Sequence, residues 1–156
     1  MASKAQPKPF TPAQEKMLNF VVKPMSRLNT WVYRVTGGKV GGRWTYGAPV
    51  MLLTVRGRKT GTVRTTPLLY IRDGDTVVTV ASKGGSAKHP LWFLNLKTNP
   101  DCEVEIGREK KRMRARAATA EEKRRYWPAL VKMYPDYDMY QQRTAREIPV
   151  VILTPA

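Results

Sequence analysis

The sequence predicts a mainly β molecule of the α+β class, with six antiparallel strands in a closed or partly closed barrel, peripheral helices and an N-terminal helical arm. Three observations lead there. Six short β-type runs are separated by turn residues, only two helical signals lie among them, and 156 residues suit one domain. A doubly wound parallel sheet would need a crossover helix between most successive strands. Hydrophobic residues at 42% and charged residues at 26% belong to a folded body, not to a disordered basic tail.

In chain order, residues 1–10, with Lys4, Pro7, Lys8 and Pro9, read as a mobile basic leader. Thr11 and Pro12 form an N-cap with proline at the first helical position, and Met17, Leu18, Phe20, Val21 and Val22 supply an apolar face. Pro24 should break or kink this helix, with Met25, Leu28, Trp31, Val32 and Val35 continuing at helical spacing as a second piece until Gly37 and Gly38. Strands follow over 50–55, 63–71 and 76–81, the last two joined as a hairpin by Asp73 and Gly74.

Over 101–106, Cys102, Val104 and Ile106 alternate with Glu103 and Glu105; over 110–117, Arg112, Arg114 and Arg116 alternate with Met113, Ala115 and Ala117. Pairing these runs sets acids beside bases on a wet face. Residues 148–153 make the sixth strand. Helices are predicted over 90–98 and 121–133, the second opened by a capping box from Thr119 to Glu122.

The chain carries 28 basic and 12 acidic residues, a net charge of +16 with pI near 10.3. Residues 1–72 hold 13 of the bases and a single acid, Glu15. Such a field suits nucleic acid, an anionic membrane surface, or a small ligand bearing phosphate and carboxylate groups. One cysteine, Cys102, excludes an intramolecular disulfide and a multi-cysteine zinc site, and the lone His89 removes most histidine-based chemistry, so no metal is expected. Neither a signal-type apolar core nor a run near the ~20 residues of a membrane span is present, which points to the cytoplasm and leaves surface attachment to a membrane open.

Three segments carry chemistry. Arg56, Gly57, Arg58, Lys59, Thr60 and Gly61, with Arg64 soon after, place four cations and no acid in a turn between strands. This is not a Walker A loop, since Arg58 stands where a glycine should precede Lys59, yet anion binding explains it better than a solvated turn. Ala81 to Ser86 is a small-residue loop leaving a strand, able to offer backbone donors, a hydroxyl and a cation, or to be an ordinary connection. Tyr134, Tyr137 and Tyr140 share one face of a helix or turn and either wall a pocket or pack in a core. The basic run 108–116 lacks any nucleic-acid motif and reads as a charged outer face; no specific nucleic acid is expected. His89, before Pro90, reads as a cap or surface residue.

These segments resemble the deazaflavin-dependent nitroreductase family of mycobacteria and related actinobacteria, through MSRLNTWVYR (25–34), LLTVRGRKTG (52–61), ASKGG (81–85), HPLWFLNLKTNP (89–100) and YWPALVKMYPDYDMYQ (126–141). The resemblance implies a split β-barrel of FMN-binding-like type over 25–156, preceded by a basic arm over 1–24. It implies an enzyme that passes a hydride from reduced coenzyme F420 to a quinone, nitroaromatic or activated enone. That coenzyme carries a phosphodiester and an oligoglutamate tail, which Arg58, Lys59 and Arg64 would grip with donors from Thr60 and Gly61. Pro67, Leu68, Ser82, Lys83 and Asn95 match family positions around the rings, with Trp92 walling the site. Tyr134, Tyr137 and Tyr140 match the substrate wall, and Ser82 a hydrogen-bonding partner near the hydride.

Leu69 departs from relatives that carry an aromatic there, so activity on bicyclic nitroimidazoles is not carried over. The arm varies in that family and can associate with membranes; here Lys4, Lys8, Lys16 and Lys23 beside Phe10, Met17, Leu18 and Phe20 suit anionic lipid at the inner face of the cell membrane. Two alternatives stand beside this reading: an FMN-dependent split-barrel oxidoreductase, and a non-enzymatic basic module for membrane or nucleic acid.

Overall fold

The computed structural model describes residues 7–156, and the backbone alone for residues 18–26. The expected basic leader is thereby described only from Pro7 onward, and the side chains of Leu18, Phe20 and Lys23 lie outside the described residues.

Helix α1 (Pro12–Thr36) begins as the capping residues require: Thr11 Oγ1 accepts the Gln14 N–H at 3.3 Å, and Gln14 Oε1 accepts the Thr11 N–H at 2.9 Å. It ends at Gly37, whose left-handed φ of 62° lets its N–H turn back to the last carbonyls. The helix runs as one element through Pro24, in place of two pieces. Proline removes a single helical N–H bond, and the helical bonds on either side of it remain. The stripe of Leu28, Trp31 and Val35 is exposed. Tyr33 is the hydrophobic residue of this last third that α1 buries, packing beside Val50 and Leu52, and Thr30 is buried as well.

Seven strands make one antiparallel sheet: β1 (Val50–Arg56), β2 (Val63–Leu69), β3 (Ile71–Asp73), β4 (Thr76–Val80), β5 (Asp101–Ile106), β6 (Glu109–Ala117) and β7 (Val150–Pro155), in the order β2-β1-β5-β6-β7-β4-β3. The six-stranded expectation is corrected at Tyr70, where the run 63–71 divides. Up to Leu69 the run pairs with β1, the Tyr70 N–H donates to the Pro49 carbonyl at 3.3 Å, and from Ile71 it pairs with β4. The ring of Tyr70 is buried at this change of partner. No ladder joins β2 to β3, so the sheet is not closed into the expected barrel; the Thr79 hydroxyl, donating to the Leu69 carbonyl at 2.7 Å, crosses the seam instead.

Alternation sorts the strands into two apolar sides. Met51, Leu53 and Val55 pack with Val104, Met113 and Leu153 under α2 (Leu91–Thr98), which contributes Trp92, Phe93 and Leu96. Val78, Val80 and Val150 turn the other way, onto α3 (Ala120–Met133) and α4 (Asp136–Arg143) through Leu130, Tyr134 and Tyr137. Each of these larger side chains contributes about 1.5–3 kcal/mol on leaving water.

β5 and β6 pair as the charge pattern predicts, with Asp101 opposite Arg114, Glu103 opposite Arg112 and Glu105 opposite Lys110. Glu105 departs from the wet face: only 6% of its side chain is exposed, because α1 lies over it. Arg34 grips it with Nη2 at 2.8 Å and Nε at 3.2 Å from Oε2, while Lys110 stands 3.7 Å away. Beside this pair the Tyr33 hydroxyl accepts the Gly107 N–H at 2.8 Å and donates to the Glu105 carbonyl.

Removing Arg34 strands a buried carboxylate, so Arg34→Ala is expected to destabilise by about 2 kcal/mol, less than a fully buried pair because Arg34 itself is half exposed. Arg114→Ala, at an exposed pair, should cost under about 0.5 kcal/mol; urea unfolding of both variants checks the contrast.

Candidate functional site

The turn between β1 and β2 closes on its own atoms. The Gly57 N–H donates to the Thr62 carbonyl at 2.8 Å and the Gly61 N–H to the Gly57 carbonyl at 2.9 Å. The Thr60 hydroxyl donates to Thr62 Oγ1 at 3.0 Å. The Gly61 amide expected to donate to the ligand therefore holds the turn instead, as does that of Gly57, and among the described residues the Lys59 and Thr60 N–H groups are left without an acceptor.

Arg58 is oriented from across the fold. Asn95, buried on α2, accepts its backbone N–H at 3.2 Å and its Nη1 at 3.0 Å on one oxygen, Oδ1. Arg58, Lys59 and Arg64 are exposed, and Arg56 donates to the Gly61 carbonyl at 3.2 Å. Among the described residues none of these four cations has a carboxylate partner. On β6, by contrast, Lys110, Lys111, Arg114 and Arg116 are each paired with an acid. An unneutralised cluster attracts a polyanion; a neutralised ladder does not.

The loop after β4 is a tight turn, Lys83–Gly85, in which φ is 45°, 63° and 81° at successive residues. A non-glycine residue at 45° stores strain that surrounding contacts must hold. Gly85 has no substitute: an added Cβ would lie 2.7 Å from the Tyr140 carbonyl oxygen. Arg146 and Arg143 donate to the carbonyls of Ala81, Ser82, Gly84 and Ser86. Glu15 accepts the Ser86 hydroxyl at 2.6 Å and the Ala87 N–H at 3.2 Å, which ties the start of α1 to the same turn and holds its carboxyl below the usual range. Phe10 lies under Arg143, 4.4 Å from its guanidinium carbon. Ser82 and Lys83 are half-buried, and no hydrogen bond of the Ser82 hydroxyl is found among the described residues.

The three tyrosines come together at the junction of α3 and α4. Tyr134 and Tyr140 share a hydroxyl–hydroxyl hydrogen bond of 3.0 Å. Tyr137 is buried between their rings and Trp127, so it packs the cluster from below. Burial pushes the Tyr134 phenol well up from its usual range, with the Tyr140 bond acting in the same direction, and burial does the same to Tyr137. Both are neutral donors near pH 7, not bases. Sequence reasoning missed Trp44 and Tyr46 on the glycine-rich connection after α1. Tyr46 adopts φ of 63°, donates to Asp136 Oδ1 at 3.1 Å and meets the Tyr134 ring edge-on at 5.7 Å, while both side chains remain exposed. Their signal was an aromatic pair in a glycine-rich stretch.

Pro67 and Leu68 are half-buried on β2, and Trp92 is buried in the main core against Phe93. A groove of about 260 Å³ runs beside Phe93, Lys97, Pro100 and Arg116, and none of the expected site residues lines it. The expected residues gather in two groups, the cationic turn with Asn95 of α2 and the Ser82 loop beside α4 with its tyrosines, while Trp92 and Tyr137 are buried. Among the described residues no group of three potential metal ligands exists, and no helix is long and apolar enough to cross a membrane.

The comparisons agree with one another. A family model described as F420H(2)-dependent quinone reductase matches residues 25–155. An F420H(2)-dependent quinone reductase of Mycobacterium tuberculosis is 41% identical over 131 residues, covering 82% of this chain and 88% of that protein. A solved F420-H2 dependent reductase is 40% identical with a TM-score of 0.63, covering 67% of this chain and 93% of its own. A solved domain-swapped dimer is 35% identical with a TM-score of 0.65, covering 83% of this chain and 98% of its own.

Cys102 takes no part in this arrangement. Its thiol is buried and pushed up to about 12, first by burial and then by Asp101, so it stays protonated. The native protein at pH 8 should resist a thiol reagent that labels the urea-unfolded chain within the mixing time; rapid labelling of the native form would contradict the burial.

Proposed function

The chain belongs to the F420H(2)-dependent quinone reductase family, and we propose that its unpaired cations Arg56, Arg58, Lys59 and Arg64 hold the anionic tail of reduced coenzyme F420 while the Ser82 loop and the tyrosines receive the acceptor. The observation that carries this reading is the donor set of the β1–β2 turn. Four cations without acids, with two free amides at Lys59 and Thr60, fit a phosphodiester and an oligoglutamate chain. Asn95 keeps Arg58 aimed, and Gly61 lets the turn close.

The coenzyme supplies a two-electron hydride when bound. This chain's residues then have binding and electrostatic tasks. Arg58, Lys59 and Arg64 anchor the tail; Pro67, Leu68, Lys83 and Asn95 set the ring system, with Trp92 supporting α2 from the core. The Ser82 hydroxyl, free of an internal partner, donates to the acceptor oxygen that gains charge. Tyr134 and Tyr140 act as a coupled pair, Tyr140 the more open of the two and the donor of a proton at its Oη, Tyr134 its partner from below. Tyr137 keeps both rings in place and excludes water. A quinone is the acceptor class the family's description carries; nitroaromatics and activated enones present the same polarised group beside an apolar plane.

Peripheral contact with anionic lipid at the inner face of the cell membrane belongs to the same proposal. Leu28, Trp31 and Val35 form an outward apolar stripe on α1, flanked by exposed Arg27, Lys39 and Arg43. A lipid-soluble quinone would be reached from there. Co-sedimentation with anionic vesicles, weakened by salt and by Trp31→Ser, is the expected outcome; equal binding to neutral vesicles would count against it.

The enzymatic reading is tested by fluorescence titration with the coenzyme and by loss of its reduced absorbance on adding menadione. Arg58→Ala and Lys59→Ala should each weaken coenzyme binding by roughly tenfold. A protein purified with bound yellow flavin would favour the FMN alternative, and salt-sensitive DNA binding unaffected by coenzyme would favour the basic module.

A further inference from the structure

Arg146 was read from no motif, yet it makes more polar contacts than any residue expected in the site. Its Nη2 donates to the Ser82 carbonyl at 2.8 Å, Nε to the Ser86 carbonyl at 2.7 Å, and Nη1 to the Ala81 carbonyl at 3.3 Å. Nη1 also stands 3.1 Å from His89 Nδ1. A guanidinium has only donors, so Nδ1 accepts and the ring proton sits on Nε2. His89 in turn stacks at 5.1 Å on Phe93 of α2, the helix whose Asn95 aims Arg58. One planar group thus spans both sides of the Lys83–Gly85 turn and the entry to α2.

The turn needs such a clamp. Three successive left-handed residues, one of them Lys83, do not hold that shape unaided, and the internal bonds are two: Gly85 N–H to the Ser82 carbonyl and Ser86 N–H to the Lys83 carbonyl. Arg143 adds a bond to the Gly84 carbonyl, and Glu15 holds Ser86 from the opposite side. We infer that Arg146 is a positioning residue for hydride transfer: it fixes the strained turn carrying Ser82 and Lys83, with His89 as its further contact at the entry to α2. This rests on the proposed role of Ser82, but the clamp itself is a statement about the polypeptide alone.

Arg146→Lys keeps the charge and most of the volume while losing the three-way fork. Its exchange and kinetics are compared with those of the wild type and of Arg114→Gln, whose side chain lies on the exposed face of β6. By hydrogen–deuterium exchange, peptides over residues 81–89 should exchange about tenfold faster in Arg146→Lys, with peptides from β5 and β6 unchanged. Single-turnover oxidation of the reduced coenzyme by menadione should slow by about tenfold or more, while the coenzyme Kd moves by less than about threefold. For Arg146→Ala, added guanidinium at millimolar concentration should restore part of the rate.

Unchanged exchange over 81–89 overturns the clamp. Faster exchange with an unchanged single-turnover rate overturns the positioning role, as does a rate loss that merely follows weakened coenzyme binding. A wild-type protein that neither binds nor oxidises the coenzyme overturns the functional reading and the catalytic half of this inference together, and the exchange comparison still decides whether Arg146 holds the turn.

Discussion

With 28 bases and 12 acids, most guanidinium groups in this chain cannot find a carboxylate, and the structure depends on where they find oxygen instead. Peptide carbonyls are the answer repeated around the molecule. Arg43 donates to Gly47, Arg56 to Gly61, Arg143 to Gly84, and Arg146 to Ala81, Ser82 and Ser86. A charge-assisted bond to a carbonyl is stronger than a neutral one, and a fork can hold several at once. Arg43 and Arg56 brace their own turns in this way, and Arg143 and Arg146 reach across the fold to brace the turn after β4. The turn at residues 82–86 depends most on this excess of donors, while those at 44–48 and 57–62 close on their own backbone bonds and gain one arginine contact each.

The same imbalance separates structural charge from functional charge. Several acids on β5 and at the start of α3 are paired: Glu105 with Arg34 of α1, Asp101 with Arg114 of β6, and Glu122 bidentate to Arg116, which holds its carboxyl down to about 2. The β1–β2 turn has no acid within reach and shows its cations to solvent. A cluster of four cations with no acid among them is the physical basis for proposing that the turn holds an anionic coenzyme tail.

Much of the architecture was legible from the chain. An apolar run between turn residues located β1, and period-two alternation β5 and β6, within a residue; the Thr11–Pro12 cap and the Thr119 capping box located the starts of α1 and α3, and the charge pattern predicted the β5–β6 pairing. These signals are local, involving neighbours three or four residues apart or directly opposite. The motifs for the anion site were equally visible, because cations and glycines in one turn need no tertiary information to be noticed. By contrast, Pro24 does not interrupt α1, and whether 63–71 is one strand or two turns on pairing with two distant strands, β1 and β4.

The sequence by itself determined that this is an antiparallel β molecule with a cationic turn, a glycine-rich loop and a tyrosine cluster, and its strings identified the family. Only the tertiary structure decided that the sheet stays open at Tyr70, that Glu105 is buried, and that the glycine amides of the turn are consumed by its own closure. It alone revealed Arg146, Trp44 and Tyr46 as neighbours of the expected residues. A guanidinium more than fifty residues from the carbonyls it holds leaves no periodicity, cap or motif, since the bond exists only once β4, α2 and α4 have been brought together by burial of their apolar faces.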